Sequence, residues 1–276
     1  MVARASASGL AVFAPFMANA WLAGTLVAIV SGAVGLFVVV RQRAFAAHAI
    51  PNGAFAGAAG ATLIGASPLL GLVVFAVASA LGVAALGRRR DDVVTALALV
   101  TMLALGAALL AASGAYEPAI DALLFGELLG VSRAEVVALA LLVVGTTVVL
   151  TLVFRPLLYS SLSEEIAAAR GVAVRVLDAT FLVLLAVSAA LAVPVVGALL
   201  TFALTVGPPA AARMLVRRPG RALALAAVLS LACVWAGIAS AYWSGWPIGF
   251  FVGVYAAVEY VAARAASSWR DTRARP

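Results

Sequence analysis

The chain has 276 residues, of which 66% are hydrophobic and 11% charged, and this composition excludes an ordinary soluble domain. All eighteen basic residues are arginine, which excludes a phosphate-loop ATPase because that signature requires a lysine. The net charge of +7 does not indicate nucleic-acid binding, since the arginines form short clusters between apolar runs. The chain also has one histidine, one cysteine and no HExxH or GxSxG motif, so we expect no enzymatic activity of its own.

Nine apolar runs have the ~20 residues that a helix needs to cross a bilayer, and they are bounded by Arg, Gly and Pro. They predict spans near residues 17–40, 46–65, 69–87, 92–112, 134–154, 178–194, 197–215, 222–243 and 247–264. The predicted fold class is therefore an all-α membrane protein, a polytopic bundle of about 8–9 transmembrane helices that forms a single domain over residues 1–276.

Arginine clusters fall in alternate loops between these runs, near residues 41–43, 88–90, 155–175, 213–221 and 264–275. By the positive-inside rule these loops face the cytoplasm. We therefore expect the N terminus outside, the C terminus inside, and residues 265–276 as a polar cytoplasmic tail. The heavy use of alanine and arginine without lysine indicates a high-GC bacterial genome, and hence a bacterial inner membrane.

The longest of these loops, residues 155–177, is too polar to cross a bilayer and predicts a short surface helix. The residues that favour its start, body and end are Ser161 or Ser163, then Glu164 and Glu165, Ala167 to Ala169, and Gly171 after Arg170. The residues alone leave two interpretations open, a docking element for a cytoplasmic partner or a plain amphipathic connector.

His48 is the single histidine of the chain and lies just inside the second apolar run, after Arg41 and Arg43. An ionisable side chain inside a membrane is costly and points to function. Imidazole binds zinc, manganese or iron, but zinc normally takes about four ligands. In a symmetric dimer, a second copy of His48 near the two-fold axis adds another ligand. The alternative is a packed histidine that is hydrogen-bonded to a neighbouring carbonyl group.

Three stretches resemble the permeases of ABC importers. The run EIAAARG, from Glu165 to Gly171, resembles the coupling helix by which such permeases engage their ATPase subunits. The stretch from Ala192 to Met214 is similar to a segment of the zinc, manganese and iron class of these permeases. The residues that carry this match are Val196, Gly197, Leu200, Pro208, Ala210, Ala211 and Ala212.

The third stretch contains His48 and Gly53, which fall where the class has an Asp-x-x-x-His pair followed by a helix of small residues. Ala44 stands where the class usually has aspartate, and the run from His48 to Ala61 resembles a variant with a HA…G.FAGA.GA pattern. Without that aspartate, the path of a transported metal ion past His48 carries less negative charge. Either another carboxylate supplies the missing charge or the transported cargo differs. Candidates are Glu117, Asp121 and Glu127, whereas Glu259 is better explained by an intrahelical ion pair with Arg264 or by snorkelling.

The resemblance implies the metal/cobalamin-type importer permease fold, a homodimer, and a transported divalent metal ion with no tightly bound cofactor. It implies partners as well: a cytoplasmic ATPase subunit that uses the ATP, a metal-binding solute-binding protein outside, and the lipid bilayer, with no nucleic acid. His48 is the implied transient metal site. The residues implied in coupling to the ATPase are Ser163, Glu164, Glu165, Ala167, Ala168, Arg170 and Gly171.

We therefore expect the permease subunit of an ATP-driven importer of zinc, manganese or iron, which works by alternating access. One alternative is a secondary transporter driven by an ion gradient, which requires a buried carboxylate for coupling. The other is a membrane scaffold that transports nothing.

Overall fold

The computed structural model describes residues 17–86, 92–113, 125–126 and 131–273. Within those ranges the chain forms ten α-helices and no β-strand, which confirms the predicted fold class. The helices in chain order are α1 Ala18–Val40, α2 Ala44–Leu63, α3 Pro68–Leu86, α4 Asp92–Ser113, α5 Arg133–Leu162, α6 Glu164–Ala169, α7 Val174–Val196, α8 Ala198–Leu215, α9 Pro219–Ser244 and α10 Ile248–Arg273.

The nine long helices coincide with the nine predicted spans. Six of them, α1, α3, α5, α7, α9 and α10, are long and apolar enough to cross a membrane by themselves. Their ends differ from the prediction, since α5 extends to Leu162 instead of ending near residue 154, and α10 continues through most of the predicted tail to Arg273. The predicted spans ended at the first arginine, but arginine favours helix and lets the helix continue beyond the apolar run.

α2 is not among those six helices, because it carries His48, Pro51 and Asn52 within its alanine- and glycine-rich sequence. It is nevertheless deeply enclosed, with α3, α4, α7 and α8 packed around it and most of its residues buried. A helix that is surrounded by other helices need not present an apolar surface to lipid. α2 therefore places the single histidine inside the bundle.

Close contacts between small residues hold α1 in the interior of the bundle. A Cβ atom on Gly32 would lie 2.8 Å from the carbonyl oxygen of Ala226 in α9. A Cβ atom on Gly35 would overlap the carbonyl oxygen of Thr205 in α8. These contacts let the backbones of α1, α8 and α9 approach closely, as small residues do in membrane helices.

The arginine-rich loops that the structure describes share one end of the bundle, which we call the arginine end. Leu36 near the end of α1 packs with Ala212 of α8 and Ala222 of α9, which brings the first and fourth of these loops together. At the C-terminal end of α10, Arg270 donates hydrogen bonds to the carbonyl groups of Met214 and Leu215. The shared end is the arrangement that the alternation of arginine clusters predicted.

Candidate functional site

The short helix α6, Glu164–Ala169, forms where the sequence predicted a surface helix. The side chain of Ser163 caps its start by accepting a hydrogen bond from the backbone N–H of Ile166, with 3.2 Å between nitrogen and oxygen. Ser161 does not take this place, because its hydroxyl donates instead to the carbonyl group of Leu157 within α5. Of the two predicted caps, Ser163 is therefore the one that the structure uses.

The end of α6 is closed by a Schellman motif around Gly171. The N–H of Val172 donates to the carbonyl oxygen of Ala167 at 3.1 Å, and the N–H of Gly171 donates to that of Ala168 at 2.9 Å. Gly171 has φ +79°, a left-handed conformation that glycine adopts without the steric cost of a Cβ atom. Both ends of α6 are thus determined by local hydrogen bonds.

Most of α6 faces outward from the arginine end. Glu164, Glu165, Ala168 and Arg170 are exposed, as a docking surface requires. Ala167 is buried, so its part is to seat α6 against the bundle.

Two apolar side chains beside these charged residues were absent from the predicted set. Ile166 is 60% exposed and Leu162 is 82% exposed. Their exposure depends on how α6 is rotated against α5, which local sequence does not specify. Paired with the acidic first turn, they give the exposed surface of α6 an apolar centre with charges around it.

His48 lies on α2, one turn after its start, and is half-buried. Its ring meets the ring of Phe202 in α8 edge to face, with 5.4 Å between the ring centres. Its carbonyl oxygen accepts a hydrogen bond from the side-chain amide of Asn52 at 2.7 Å. Phe202 and Asn52 were not singled out from the sequence, since contact across helices and a local amide bond leave no distinctive pattern.

The described residues contain no group of three or more His, Cys, Asp or Glu side chains that could hold a metal ion. The predicted compensating carboxylates Glu117, Asp121 and Glu127 lie outside the described residues. Glu259, in α10, is also no part of such a group. Within the described part of one chain, His48 therefore stands without a set of metal ligands.

Of the two explanations offered for Glu259, the ion pair with Arg264 does not form, since the ion pairs of the described residues involve other side chains. The two residues are five positions apart, which separates them by about 140° around an α-helix. Pairs at three or four positions face each other, but pairs at five do not. One carboxylate oxygen of Glu259 is buried and has no hydrogen-bond partner in the described part of the chain.

A cluster of charged side chains at the arginine end was not predicted. Arg41 Nη2 lies 2.9 Å from Asp178 Oδ1, and Arg43 Nη2 lies 2.7 Å from Asp178 Oδ2. Asp178 is on the second turn of α7, whereas the predicted span 178–194 began with it. Both carboxylate oxygens of Asp178 bind arginines that shortly precede Ala44. Asp178 is therefore not a free carboxylate that could take the place of the aspartate which the resembled permeases have at the position of Ala44. The signal available in the sequence was an acidic residue three positions after Arg175, whose loop the positive-inside rule places at the same end as Arg41 and Arg43.

The chain matches the family model of the ABC 3 transport family over residues 14–267. A protein of Thermotoga maritima called "Probable metal transport system membrane protein" is 29% identical over 249 residues, which cover 89% of this chain and 88% of that protein. The "Manganese transport system membrane protein MntC" of Halalkalibacterium halodurans is 29% identical over 228 residues, which cover 81% of this chain and 77% of that protein.

Among solved structures, a chain of "PsaBC from Streptococcus pneumoniae in complex with Fab" has the same fold, with a TM-score of 0.82 at 23% identity, over 90% of this chain and 91% of that one. The helical bundle and the match along nearly the whole sequence lead to one assignment. The chain is a multi-pass membrane protein that belongs to the ABC 3 transport family.

Proposed function

We propose that the chain is the permease subunit of an ATP-driven importer of divalent transition metal ions, with zinc, manganese and iron as the candidate cargoes. The observation that carries the proposal is the family match over residues 14–267. The names of the relatives, a manganese transport protein among them, support a metal cargo. The lysine-free sequence fits a permease whose ATP is hydrolysed by a separate subunit.

The surface of α6 is the proposed contact with a cytoplasmic ATPase subunit. Ser163 and Gly171 hold the ends of the helix, Ala167 seats it, and the exposed residues Glu164, Glu165, Ala168 and Arg170 meet the partner. Closure of the ATPase dimer then pushes on α6 and rocks the helices between outward-open and inward-open arrangements. The arginine end is the cytoplasmic end in this proposal, with the N terminus outside and the C terminus inside.

His48 is the proposed residue that binds the metal ion transiently while the ion crosses the membrane. One imidazole is too few ligands for a stable site, so a second copy of the chain supplies another His48 in a homodimer. Water completes the coordination, which suits a cargo that must leave again. A solute-binding protein delivers the ion on the outer side, and the protein keeps no resident cofactor.

The test is metal uptake by vesicles that contain the permease, its ATPase and its solute-binding protein, with zinc, manganese and iron offered separately. We expect ATP-dependent uptake of one of these metals. Uptake by the permease alone under an ion gradient would instead favour a secondary transporter, and uptake under neither condition would favour a scaffold.

The variant His48→Ala tests the pathway in the same vesicles. We expect uptake of the cargo metal to collapse while the complex with the ATPase still assembles. Phe45→Ala is the matched control, because Phe45 is also partly exposed and lies one turn before His48. Equal uptake by His48→Ala and wild type would show that His48 only packs on Phe202 and that the ligands lie elsewhere.

A further inference from the structure

The cluster of Arg41, Arg43 and Asp178 connects parts of the chain that the proposed mechanism needs to move together. Arg41 is deeply buried, with 4% of its side chain exposed, while Arg43 and Asp178 are 17% and 22% exposed. A buried guanidinium group requires partners, because its desolvation is otherwise too costly. Where those partners lie determines which helices the cluster joins.

On one side, Arg41 binds both helices that flank α6. Its Nη1 donates to the hydroxyl oxygen of Ser160 at 2.6 Å, in the last turn of α5. Its Nη2 binds Asp178 near the start of α7, and its guanidinium group lies over the ring of Phe181, 5.4 Å from the ring centre. α6 follows α5 and precedes α7 in the chain and packs on both of them, so a push on α6 acts on the two helices that hold these contacts.

On the other side, the cluster holds the start of α2. Arg43 directly precedes Ala44, the first residue of α2, and its carbonyl group accepts the hydrogen bond from the N–H of Ala47. The turn between α1 and α2 is short, with Gln42 in a left-handed conformation at φ 56° and the N–H of Arg43 bonded to the carbonyl group of Val38. A side-chain force on Arg43 therefore acts directly on the helix that carries His48.

We propose that Arg41, Arg43 and Asp178 form a mechanical joint, the arginine–aspartate joint, which passes the movement of α6 to α2 and His48. Arg41 ties the ends of α5 and α7 into one unit, and the second oxygen of Asp178 links that unit to Arg43. In this proposal they are positioning residues, because both carboxylate oxygens of Asp178 bind arginines and a guanidinium group is no ligand for a metal cation. The inference rests on the proposed function.

Arg43→Gln is the sharpest test, because it removes the ion pair nearest the start of α2 while the pair of Arg41 with Asp178 remains. We expect the metal transported per ATP hydrolysed to fall by about fivefold or more, within the range of coupling between sites in other proteins. Arg43→Lys keeps a charged donor and should restore most of the ratio. Arg221→Gln removes an exposed arginine at the same end of the bundle and should leave the ratio at the wild-type value.

A second measurement reports movement without reference to cargo. Spin labels are attached at Phe45 of α2 and at Ala169, an exposed residue of α6 outside the proposed ATPase contact, in a Cys233→Ala background. In the complex with the ATPase they give the distance between the two copies of each site before and after trapping with ATP and vanadate. In the otherwise wild-type protein both distances should change. With Arg43→Gln, the distance between the α6 labels should change as in wild type, while the change between the α2 labels should be smaller.

The proposal is overturned if α2 moves as far in Arg43→Gln as in wild type, or if uptake and ATP turnover fall in equal proportion. If the complex takes up no metal, but α2 moves with ATP in wild type and moves less in Arg43→Gln, the proposed cargo is rejected and the joint is supported. Failure of the cargo and failure of the joint are therefore distinguishable.

Discussion

Gly57 of α2 and Gly71 of α3 face each other so closely that a Cβ atom built on either would overlap the carbonyl oxygen of the other. The two backbones are in direct contact, and no other residue type fits at either position without moving a helix. Gly53 continues this contact one turn away, where its Cβ atom would overlap the hydroxyl of Ser79. The small residues of α2 thus decide how near α3 approaches.

Gly57→Val should therefore destabilise the protein, because the added methyl groups push α2 and α3 apart. We expect a loss of about 1–3 kcal/mol or more, as for other overpacked sites, measured by thermal unfolding in detergent. Gly82→Ala is the matched control in α3, since a Cβ atom there meets nothing within 4 Å. An unchanged unfolding temperature for Gly57→Val would contradict the close packing of these helices.

Ser163→Ala should loosen α6, because the N–H of Ile166 loses its side-chain acceptor. Loss of an N-cap costs about 1 kcal/mol, which raises the population of the open segment about fivefold. Hydrogen exchange of the α6 amides measures this change. Ser163→Asp retains a capping oxygen and should keep the exchange slow. Equal exchange in Ser163→Ala and wild type would mean that the cap contributes nothing.

Ile166→Glu should weaken binding of the ATPase, because Ile166 is the exposed apolar residue in the middle of α6. If it is a hot spot, the substitution costs about 2 kcal/mol or more, or roughly a thirtyfold rise in Kd. Binding of the purified ATPase to the permease in nanodiscs measures this directly. Ile166→Leu keeps the apolar surface and should bind nearly as well. Full binding by Ile166→Glu would argue that α6 is a plain connector.

Asp178→Ala should destabilise the protein more than Arg43→Gln. Removal of the shared carboxylate leaves buried Arg41 without its counter-charge, and breaking a buried ion pair costs about 3–5 kcal/mol. Arg43→Gln leaves that pair intact, so only the more exposed contact is lost. Thermal unfolding of the single variants and of the double variant gives the coupling between them. Equal losses in both single variants would show that Arg41 does not depend on Asp178.

Much of the fold could be predicted from the sequence, because hydropathy, loop charge and helix capping each depend on residues that are close together in the chain. Apolar runs of sufficient length mark the helices, and arginine clusters in alternate loops predict the shared end at which the structure places them. The limits of α6 follow from Ser163 and Gly171, since a cap and a left-handed turn depend on bonds to residues at most five positions away.

The sequence did not predict how each helix is rotated or which helices pack against each other. Asp178 was only the first residue of the predicted span 178–194, yet it binds two arginines more than 130 residues away in the chain. Phe202 beside His48 and the exposed Ile166 were also missed. Of the two explanations offered for Glu259, the ion pair with Arg264 does not form, while snorkelling stays a prediction.

The sequence by itself determined that this is a helical membrane protein with a capped surface helix at its arginine-rich end, because hydropathy, charge and capping act within a few residues. Only the tertiary structure decided that the arginines before α2 meet an aspartate of α7, next to the end of α5. That contact depends on how helices distant in sequence pack side by side, and close packing of whole helices depends on all their facing side chains at once.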